Sequence, residues 1–313
     1  MEGDRSDRDE KRIQKIHDKL FKTVFSRPQE AISFFREHLP ENIFQSIGWD
    51  TLTPVDKEHM REFFTEEESD LLFQVRLKDT EQDAFLYILF EHQSTADKWM
   101  PFRMLKYSCW IWDLSFKLYT QQEKLPPVIP IVLYQGEHGW RHSTQFLDLF
   151  ANAEVYRDFL PQYAFSLIDQ SGCGEDDFVG TVIARIAQLL LWAAYHGEIK
   201  RLLELLGDLL PLVDDSGGGI RYYHLFFKYM LETHEGLTPE RIKEGLQKAG
   251  PRSGEAIMTI ADQLRAEGKA EGRLEAQLEA AKNLIENGVP LEVVQKSTGL
   301  TLEQLKEEGI LKE

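Results

Sequence analysis

The chain has 313 residues, 42% of them hydrophobic, so it is long and apolar enough for one large core or two smaller ones. Its formal net charge of −17 argues against a broad nucleic-acid-binding surface, because phosphate groups attract basic surfaces. Only Cys109 and Cys173 are present, which excludes a disulfide framework and a zinc cluster. The charged start has no apolar run of the kind found in signal peptides. We therefore expect a cytoplasmic protein that does not enter a membrane.

The first part of the chain predicts a solvated start followed by helices. Residues 1–15 are mostly polar and are expected to form a flexible N-terminus. From Ile16 to Leu39 the apolar residues recur at helical spacing, with an interruption near Pro28. Residues 40–68 are mixed, so no element is assigned to them.

The next segment predicts a β-hairpin. Ser69–Lys78 and Ala84–Gln93 alternate like strands, and the polar stretch Asp79–Asp83 between them suits a turn. Side chains of a strand point alternately to its two faces, so the register decides which of them share a face. The register that makes one face entirely apolar also sets Asp70 directly opposite Glu91 on the other face.

A crossover unit is predicted after the hairpin. Residues 97–120 fit a helix, and Val128–Tyr134 reads as a buried strand. The tryptophans of the helix are expected in the core: Trp99, Trp110 and Trp112. A strand, helix and strand in succession imply parallel pairing through a right-handed connection. Tyr163–Asp169 is a candidate for a further strand.

Beyond Gly174 the pattern is helical. Helices are predicted over about 177–196, 198–212 and 220–233. The tail from Glu255 is rich in Ala, Glu, Lys and Arg, and residues 277–308 read as a helix–turn–helix-like pair. The alternating Lys and Glu of residues 262–282 favour a solvated helix face or self-association over DNA contact. The few basic residues of 284–307 disfavour reading of DNA.

These elements predict an α/β fold, with a mixed sheet flanked by helices, a helical extension and a short helical tail. Four segments are expected. They are a flexible N-terminus at 1–15, a core at 16–175, an extension at 176–250 and a tail at 251–313 that is suited to oligomerisation.

Asp70, Glu91 and Gln93 form a candidate active site. Two carboxylates on adjacent strands supply the hard oxygen ligands that Mg²⁺ prefers, and Mn²⁺ or Ca²⁺ can take its place. Gln93 lies two residues beyond Glu91 and so points to the same face, where it can hold a water or a phosphate oxygen. This combination suits phosphodiester hydrolysis, which needs an ion, an aligned water and a stabilised leaving oxygen. Such a site needs only a local basic strip, which the net charge allows.

Several motifs together resemble a known family. They are His17-Asp18-Lys19-Leu20-Phe21-Lys22, Asp70, Glu91-His92-Gln93-Ser94, Arg103 with Tyr107, and Leu125–Tyr134 followed by Gly136 and Trp140. In combination they resemble the recombination-promoting nuclease (Rpn) family, also described as YhgA-like transposases, within the PD-(D/E)XK nuclease superfamily. The resemblance covers roughly residues 15–240.

This resemblance implies a restriction-endonuclease-like core and metal-dependent cleavage of DNA, with a role in recombination or horizontal gene transfer. It carries Asp70, Glu91 and Gln93 onto the catalytic positions, with Asp70 and Glu91 as metal ligands. A dimer is expected by analogy, because double-strand cuts usually need two sites. The wider superfamily usually has lysine where this chain has Gln93, which implies either slower chemistry or a cation supplied by another residue, Arg103 or Lys106. No Walker A loop or Rossmann glycine fingerprint is visible, and no nucleotide cofactor is expected.

Two residues of the predicted first helix are candidate accessory groups. Asp18 is either a further acidic group at the site or a first-turn carboxylate that offsets the helix dipole. Lys22 is either a phosphate contact or a solvated lysine.

Three functions stay open. The first is a DNA endonuclease. The second is a DNA-associated or protein-binding module of the same fold that is catalytically weak or inactive, as Gln93 and the net charge suggest. The third is a transposase that also joins strands, which the lack of a third well-spaced acid makes the weaker candidate.

Overall fold

The computed structural model describes residues 2–55, 70–80, 82–91, 96–119, 123–196, 199–213, 219–234, 236–246, 251–307 and 310. It divides into two compact units, Met1–Gly254 and Glu255–Glu313. The first unit holds a five-stranded sheet flanked by helices, which confirms the α/β fold class. The described part of the second unit is helical.

The sheet has the strand order β1-β2-β3-β4-β5. Its strands are β1 (Ile47–Pro54), β2 (Asp70–Leu77), β3 (Asp83–Glu91), β4 (Val128–Tyr134) and β5 (Ser166–Asp169). β1 and β3 each pair antiparallel with β2, whereas β3, β4 and β5 run parallel. The parallel pairing predicted across the crossover unit is therefore confirmed.

The helices account for most of the chain outside the sheet. In the first unit they are α1 (Glu2–Phe25), α2 (Pro28–His38), α3 (Glu41–Ser46), α4 (Met100–Leu118), α5 (Val182–His196), α6 (Ile199–Leu209), α7 (Gly219–Thr233) and α8 (Pro239–Gly245). The described residues also include 3₁₀ segments at Phe146–Leu149 and Ala153–Phe159, between β4 and β5, and at Leu210–Leu212, directly after α6. α2 begins with Pro28 in its first turn, where the missing backbone donor costs nothing.

Helix α1 begins much earlier than the predicted start at Ile16. Its first residue is Glu2, so residues 2–15 continue the helix outward from the apolar part. The polar residues of this segment include many good helix formers, and no proline interrupts them. The apolar positions of the second half are buried, among them Leu20, Phe21 and Val24.

The second unit contains α10 (Leu291–Thr298) and α11 (Leu302–Glu307), together with most of α9 (Pro251–Glu286). These helices share a small core of Ala281, Val294, Leu300 and Leu305. Gly299 ends α10 with a φ of 74°, a left-handed conformation that glycine adopts without steric cost. The amide of Gln277 donates to the carbonyl of Thr298 at 2.7 Å and ties α9 to that turn.

Both faces of the sheet are covered. On one face, buried residues of β2 and β3 such as Leu72 and Tyr87 pack with Met104 of α4. On the other, Phe73 of β2 contacts Phe35 of α2, with ring centroids 5.9 Å apart. Because both faces are apolar and buried, the sheet resembles the interior sheet of an α/β protein.

Helix α4 presents a different face to the core from the one that its aromatic pattern suggested. The buried positions are Met100, Pro101, Met104, Tyr107, Ser108, Ile111, Leu114 and Ser115. Trp99 is 52% exposed, so its expected place in the core is wrong, whereas Trp110 and Trp112 are half-buried. α4 carries apolar residues almost all around, so helical spacing did not identify its inner face.

Candidate active site

β2 and β3 bring two acidic positions to one edge of the sheet. Asp70 is the first residue of β2, and Glu91 is the last residue of β3. Because the two strands are antiparallel, the start of one lies beside the end of the other. The backbone therefore brings positions 70 and 91 to the same edge of the sheet.

The predicted pairing of Asp70 with Glu91 is wrong by two positions. Asp70 pairs with Leu89, and the same offset continues along the hairpin to Arg76, which pairs with Asp83. An offset of two leaves every residue on the face that was predicted, because side chains alternate with a period of two. Positions 70 and 91 are therefore diagonal neighbours rather than direct partners.

The same edge continues through the parallel strands. Glu91 pairs with Tyr134 at the end of β4, and Tyr134 pairs with Asp169 at the end of β5. Tyr134 is buried, and its hydroxyl donates to the carbonyl of His138 at 2.9 Å. Ligand sites of open α/β sheets commonly lie beyond the carboxyl ends of such strands.

Asp169 has a structural role at this edge. Its Oδ2 accepts the backbone N–H of Trp140 at 2.8 Å. Its Oδ1 accepts the backbone N–H of Ser171 at 3.0 Å and the hydroxyl of the same serine at 2.6 Å. Both carboxylate oxygens thus hold the loops that follow β4 and β5.

A cluster of three buried glutamines lies directly beyond β4 and β5. We call Gln135, Gln170 and Gln188 the glutamine cluster; each is at most 2% exposed. The Gln135 amide donates to Oε1 of Gln170 at 2.6 Å, and the Gln170 amide donates to Oε1 of Gln188 at 2.7 Å. The Gln188 amide donates to the carbonyls of Val179 and Ala184 at 2.8 and 3.1 Å. The cluster connects the ends of two parallel strands to α5.

Sequence reasoning missed the glutamine cluster, although one signal for it was present. Gln188 is the single polar residue in the apolar run 186–194 of α5. A buried amide needs hydrogen-bond partners, so a lone glutamine in such a run indicates a polar contact inside the protein. Its partners come from distant parts of the chain, and they cannot be identified from spacing.

The predicted cation Arg103 lies near the start of α4. Its guanidinium is 3.3 Å from the carboxylate of Asp97, and both side chains are about a quarter exposed, at 28% and 25%. Asp97 also accepts the backbone N–H of Trp99 at 2.8 Å and so stabilises the start of the helix. Lys106 is exposed and lies over the Trp110 ring, 4.5 Å from its centroid.

The structure changes the interpretation of the two accessory residues of α1. Asp18 is buried, at 9% exposure, and lies far from the first turn, since α1 begins at Glu2. The alternative of a first-turn carboxylate is therefore wrong. Lys22 is half-buried in the last turn, where a cation is favoured by the helix dipole. α1 packs against β2, which places this helix beside the hairpin.

Part of the predicted site lies outside the described residues. Gln93 is one such residue, and for Asp70 and Glu91 only the backbone is described. Among the side chains that the structure describes, no group of three His, Cys, Asp or Glu residues is arranged to hold a metal ion. Within the same part of the chain, no helix combines the length and the apolar character needed to cross a membrane.

The strand arrangement and the acidic edge together indicate the class of fold. An antiparallel hairpin that leads through a helix into parallel strands, with acidic positions at the shared edge, is consistent with the restriction-endonuclease-like α/β fold. The chain belongs to the family described as "Putative transposase, YhgA-like", whose model matches residues 15–218.

Three relatives illustrate this membership. The chain is 31% identical to recombination-promoting nuclease RpnA of Escherichia coli K12 over 92% of this chain and 95% of that one. It is 28% identical to recombination-promoting nuclease RpnD of Escherichia coli O157:H7, over 79% and 93%. It is also 28% identical to the inactive recombination-promoting nuclease-like protein RpnE of Escherichia coli K12, over 91% and 94%. No solved structure matches the chain.

Proposed function

We propose that this protein is a Mg²⁺-dependent DNA endonuclease that acts in recombination or horizontal gene transfer. The observation that carries the proposal is the antiparallel pairing of β2 and β3, which brings Asp70 and Glu91 to one edge and one face of the sheet. The names of two relatives, RpnA and RpnD, support a nuclease role. The register supports a shared site, since diagonal positions of an antiparallel pair lie roughly 7–8 Å apart.

The donor set of this edge fits a hard divalent cation. Asp70 and Glu91 offer carboxylate oxygens, which Mg²⁺ prefers, and Mn²⁺ or Ca²⁺ accept the same ligands. A bound ion would polarise the scissile phosphate and lower the pKa of an attacking water. In the proposal, Glu91 and Gln93 orient that water, and Asp169 takes no part because its oxygens hold two loops.

The phosphate also needs a cation from the protein, because Gln93 is neutral. Arg103 is the better candidate of the two, since its ion pair with Asp97 fixes the guanidinium near the start of α4. Lys106 is more exposed and lies over an aromatic ring. Asp18 is a buried acidic residue of α1, a helix that packs against β2, and we assign it to support of the site.

The decisive experiment is cleavage of plasmid DNA with Mg²⁺, comparing the natural protein with Asp70→Asn and Asp50→Ala. Asp70→Asn keeps the size of the side chain but removes its charge, and we expect cleavage to fall about a hundredfold or more, since even supporting residues of metal sites cost about 10–100-fold. Asp50 is an exposed acid on β1 and serves as the matched control. EDTA should abolish cleavage by the natural protein and by the control.

A second measurement separates metal binding from turnover. Titration calorimetry with Mg²⁺ should show binding to the natural protein and to Asp50→Ala, and greatly weakened binding to Asp70→Asn. If the folded natural protein neither binds Mg²⁺ nor cleaves DNA with Mg²⁺, Mn²⁺ or Ca²⁺, the endonuclease proposal is overturned.

A catalytically weak or inactive DNA-associated module is the second candidate function. One relative with 28% identity over 91% of this chain is named an inactive recombination-promoting nuclease-like protein, and this name supports the second candidate. Retained Mg²⁺ binding without cleavage would favour this candidate. Strand-transfer products in an assay with two DNA molecules would instead favour a transposase.

We also propose that the protein acts in the cytoplasm as a dimer and needs no nucleotide cofactor. The dimer follows from the requirement for two sites in a double-strand cut. A monomeric mass at micromolar concentration, measured by light scattering, would contradict it.

A further inference from the structure

Exposed aromatic rings and cations are combined at the start of α4. We call Lys98, Trp99, Phe102, Lys106 and Trp110 the aromatic–basic surface. Trp99 is 52% exposed and Phe102 is 53% exposed. The ammonium of Lys98 lies 5.2 Å from the centroid of the Trp99 ring, and that of Lys106 lies 4.5 Å from the centroid of the Trp110 ring. One cation therefore accompanies the exposed ring of Trp99, and the other accompanies the half-buried ring of Trp110.

The spacing of these residues makes them one surface. Phe102, Lys106 and Trp110 are four residues apart along α4, so they follow one another on the same side of the helix. Met104 and Ile111, which are fully buried, occupy the side that faces the sheet. Trp99 precedes the helix by one residue, and its carbonyl accepts the backbone N–H of Phe102 at 2.9 Å.

The aromatic–basic surface begins at the edge that carries the candidate active site. α4 connects β3 with β4, and its second half reaches the start of β4, where the Trp112 indole donates to the carbonyl of Pro126 at 2.9 Å. The first half therefore lies toward the other end of β3, which is the end that carries Glu91.

The local charge differs in sign from that of the whole chain. Residues 97–118 contain Lys98, Arg103, Lys106 and Lys117 against Asp97 and Asp113, whereas the chain as a whole carries −17. An exposed apolar patch marks an interaction site, and the accompanying cations favour an anionic occupant. The competing occupant is a second copy of this strongly acidic chain, and loss of a dimer on replacement of Phe102 would reveal it.

We propose that the aromatic–basic surface binds single-stranded DNA, with bases stacked on Trp99 and Phe102 and phosphates contacted by Lys98 and Lys106. This inference rests on the proposed function, and it names unpaired strands as the form of DNA that this surface binds beside the site of cleavage. In a duplex the bases stack on each other, so their faces cannot reach exposed rings. Stacking also needs few cations, which suits a protein whose net charge opposes a broad phosphate-binding surface.

The test measures fluorescence anisotropy of a labelled oligothymidine and of a duplex of equal length, with the full chain and EDTA to prevent cleavage. We expect the single strand to bind about tenfold more tightly than the duplex. Phe102→Ala should weaken binding of the single strand by roughly 5- to 100-fold, the range observed for removal of one stacking ring. Phe102→Tyr should restore it, whereas Phe102→Leu should not, because leucine has no aromatic face.

Phe116 provides a matched control on the same helix. It is 55% exposed, almost as much as Phe102, but it lies near the other end of α4. Phe116→Ala should change the affinity less than twofold. Quenching of tryptophan fluorescence by the bound strand, reduced in Trp99→Phe, gives a second readout of stacking.

The possible outcomes separate this inference from the proposed function. Equal affinity for single strand and duplex, or equal effects of Phe102→Ala and Phe116→Ala, would overturn the aromatic–basic surface as a binding site. Unchanged DNA affinity together with dissociation of a dimer by Phe102→Ala would overturn it in favour of an interface between copies. If the surface behaves as expected but Asp70→Asn has no effect on cleavage, the proposed active site fails and the binding surface stands.

Discussion

The side-chain amide of Gln170 donates to Oε1 of Gln188 at 2.7 Å inside a region from which water is excluded. Gln170 directly follows β5, and Gln188 lies on α5, so this hydrogen bond fixes a helix to the end of a parallel strand. Gln135 joins both from the end of β4. Gln135 directly follows Tyr134, the last residue of β4, which pairs with Glu91. The position of β4 beside Glu91 therefore depends on buried amides as well as on apolar packing.

Replacement of Gln188 by leucine should destabilise the protein. The change keeps the volume but leaves the Gln170 amide and the carbonyl of Val179 without their buried partner, and each such loss costs about 1–3 kcal/mol. We expect a loss of about 2 kcal/mol or more in the free energy of unfolding, measured with urea. Gln82→Leu, which removes an exposed hydrogen bond to Leu125, is the control and should cost less than about 1 kcal/mol. Equal losses would show that the glutamine cluster has no special role.

Glu30 should oppose folding at neutral pH. It is buried in α2, and this burial raises its pKa, although a hydrogen bond from the Thr181 hydroxyl and the charge of Arg27 act in the opposite direction. A carboxyl whose pKa is higher in the folded state contributes stability at low pH that is lost as the pH rises past 4.5. Glu30→Gln keeps an acceptor for Thr181 and removes the charge, so we expect a gain of about 0.5–1.5 kcal/mol at pH 7.

Thermal unfolding at pH 7 and pH 4 measures this effect. The stabilisation by Glu30→Gln should be smaller at pH 4, because the carboxyl of Glu30 in the natural protein is protonated there. Glu37→Gln, an exposed change on the same helix, should have little effect at either pH. A lower melting temperature for Glu30→Gln at pH 7 would show that the Arg27 charge outweighs the cost of burial.

His38 should make the protein less stable in mild acid. Its ring packs on Phe34 with centroids 4.4 Å apart, and burial lowers the pKa of His38 from 6.5 to about 4. Stability that depends on the neutral ring is fully present above pH 6.5 and is lost as the pH falls toward 4. We expect a loss of about 1 kcal/mol between pH 7 and 5, reduced from the full linkage value because the ring is partly exposed.

His38→Leu tests this assignment in urea unfolding at the two pH values. The variant should lose less stability between pH 7 and 5 than the natural protein. His142→Leu, which replaces an exposed histidine, should keep the natural pH dependence. An identical slope for His38→Leu and the natural protein would contradict the prediction.

Arg103 should contribute to DNA cleavage more than other cations of α4. Its ion pair with Asp97 orders the guanidinium, so Arg103→Ala should lower kcat/KM about tenfold or more, as expected for removal of one charge-stabilising donor. Lys117→Ala removes a cation from the last turn of the same helix and should change kcat/KM less than twofold. A similar decrease for both variants would indicate a general effect of charge on DNA association, and this would disappear at high salt.

The sequence predicted which residues of the hairpin share a face, because strict alternation decides that question. It did not predict the register, since an offset of two positions leaves the alternation unchanged. The turn decides between such registers. The backbone N–H of Leu77 donates to the carbonyl of Gln82 at 2.9 Å and closes the turn earlier than expected. The edge shared by Asp70 and Glu91 was therefore predictable, but their diagonal relationship was not.

Strand β1 and the exposed side of α4 could not be predicted from the sequence, for different reasons. β1 contains Gly48 and ends at Pro54, two residues that are rare inside strands, and its pairing with β2 is interrupted by a bulge. In α4, Trp99 and Phe102 have the same apolar character as the residues that are buried. Only the packing of the helix on the sheet distinguishes its two sides.

The two outer strands, β1 and β5, make it difficult for a strand of another chain to pair with the sheet. β5 has only four residues, and the bulge between Gly48 and Thr53 interrupts the register of β1. Both features make a strand edge a poor template for another chain, because few regularly spaced backbone groups remain for pairing. Copies of this protein should therefore associate through helices or loops, and accidental strand-to-strand aggregation should be slow even at high concentration.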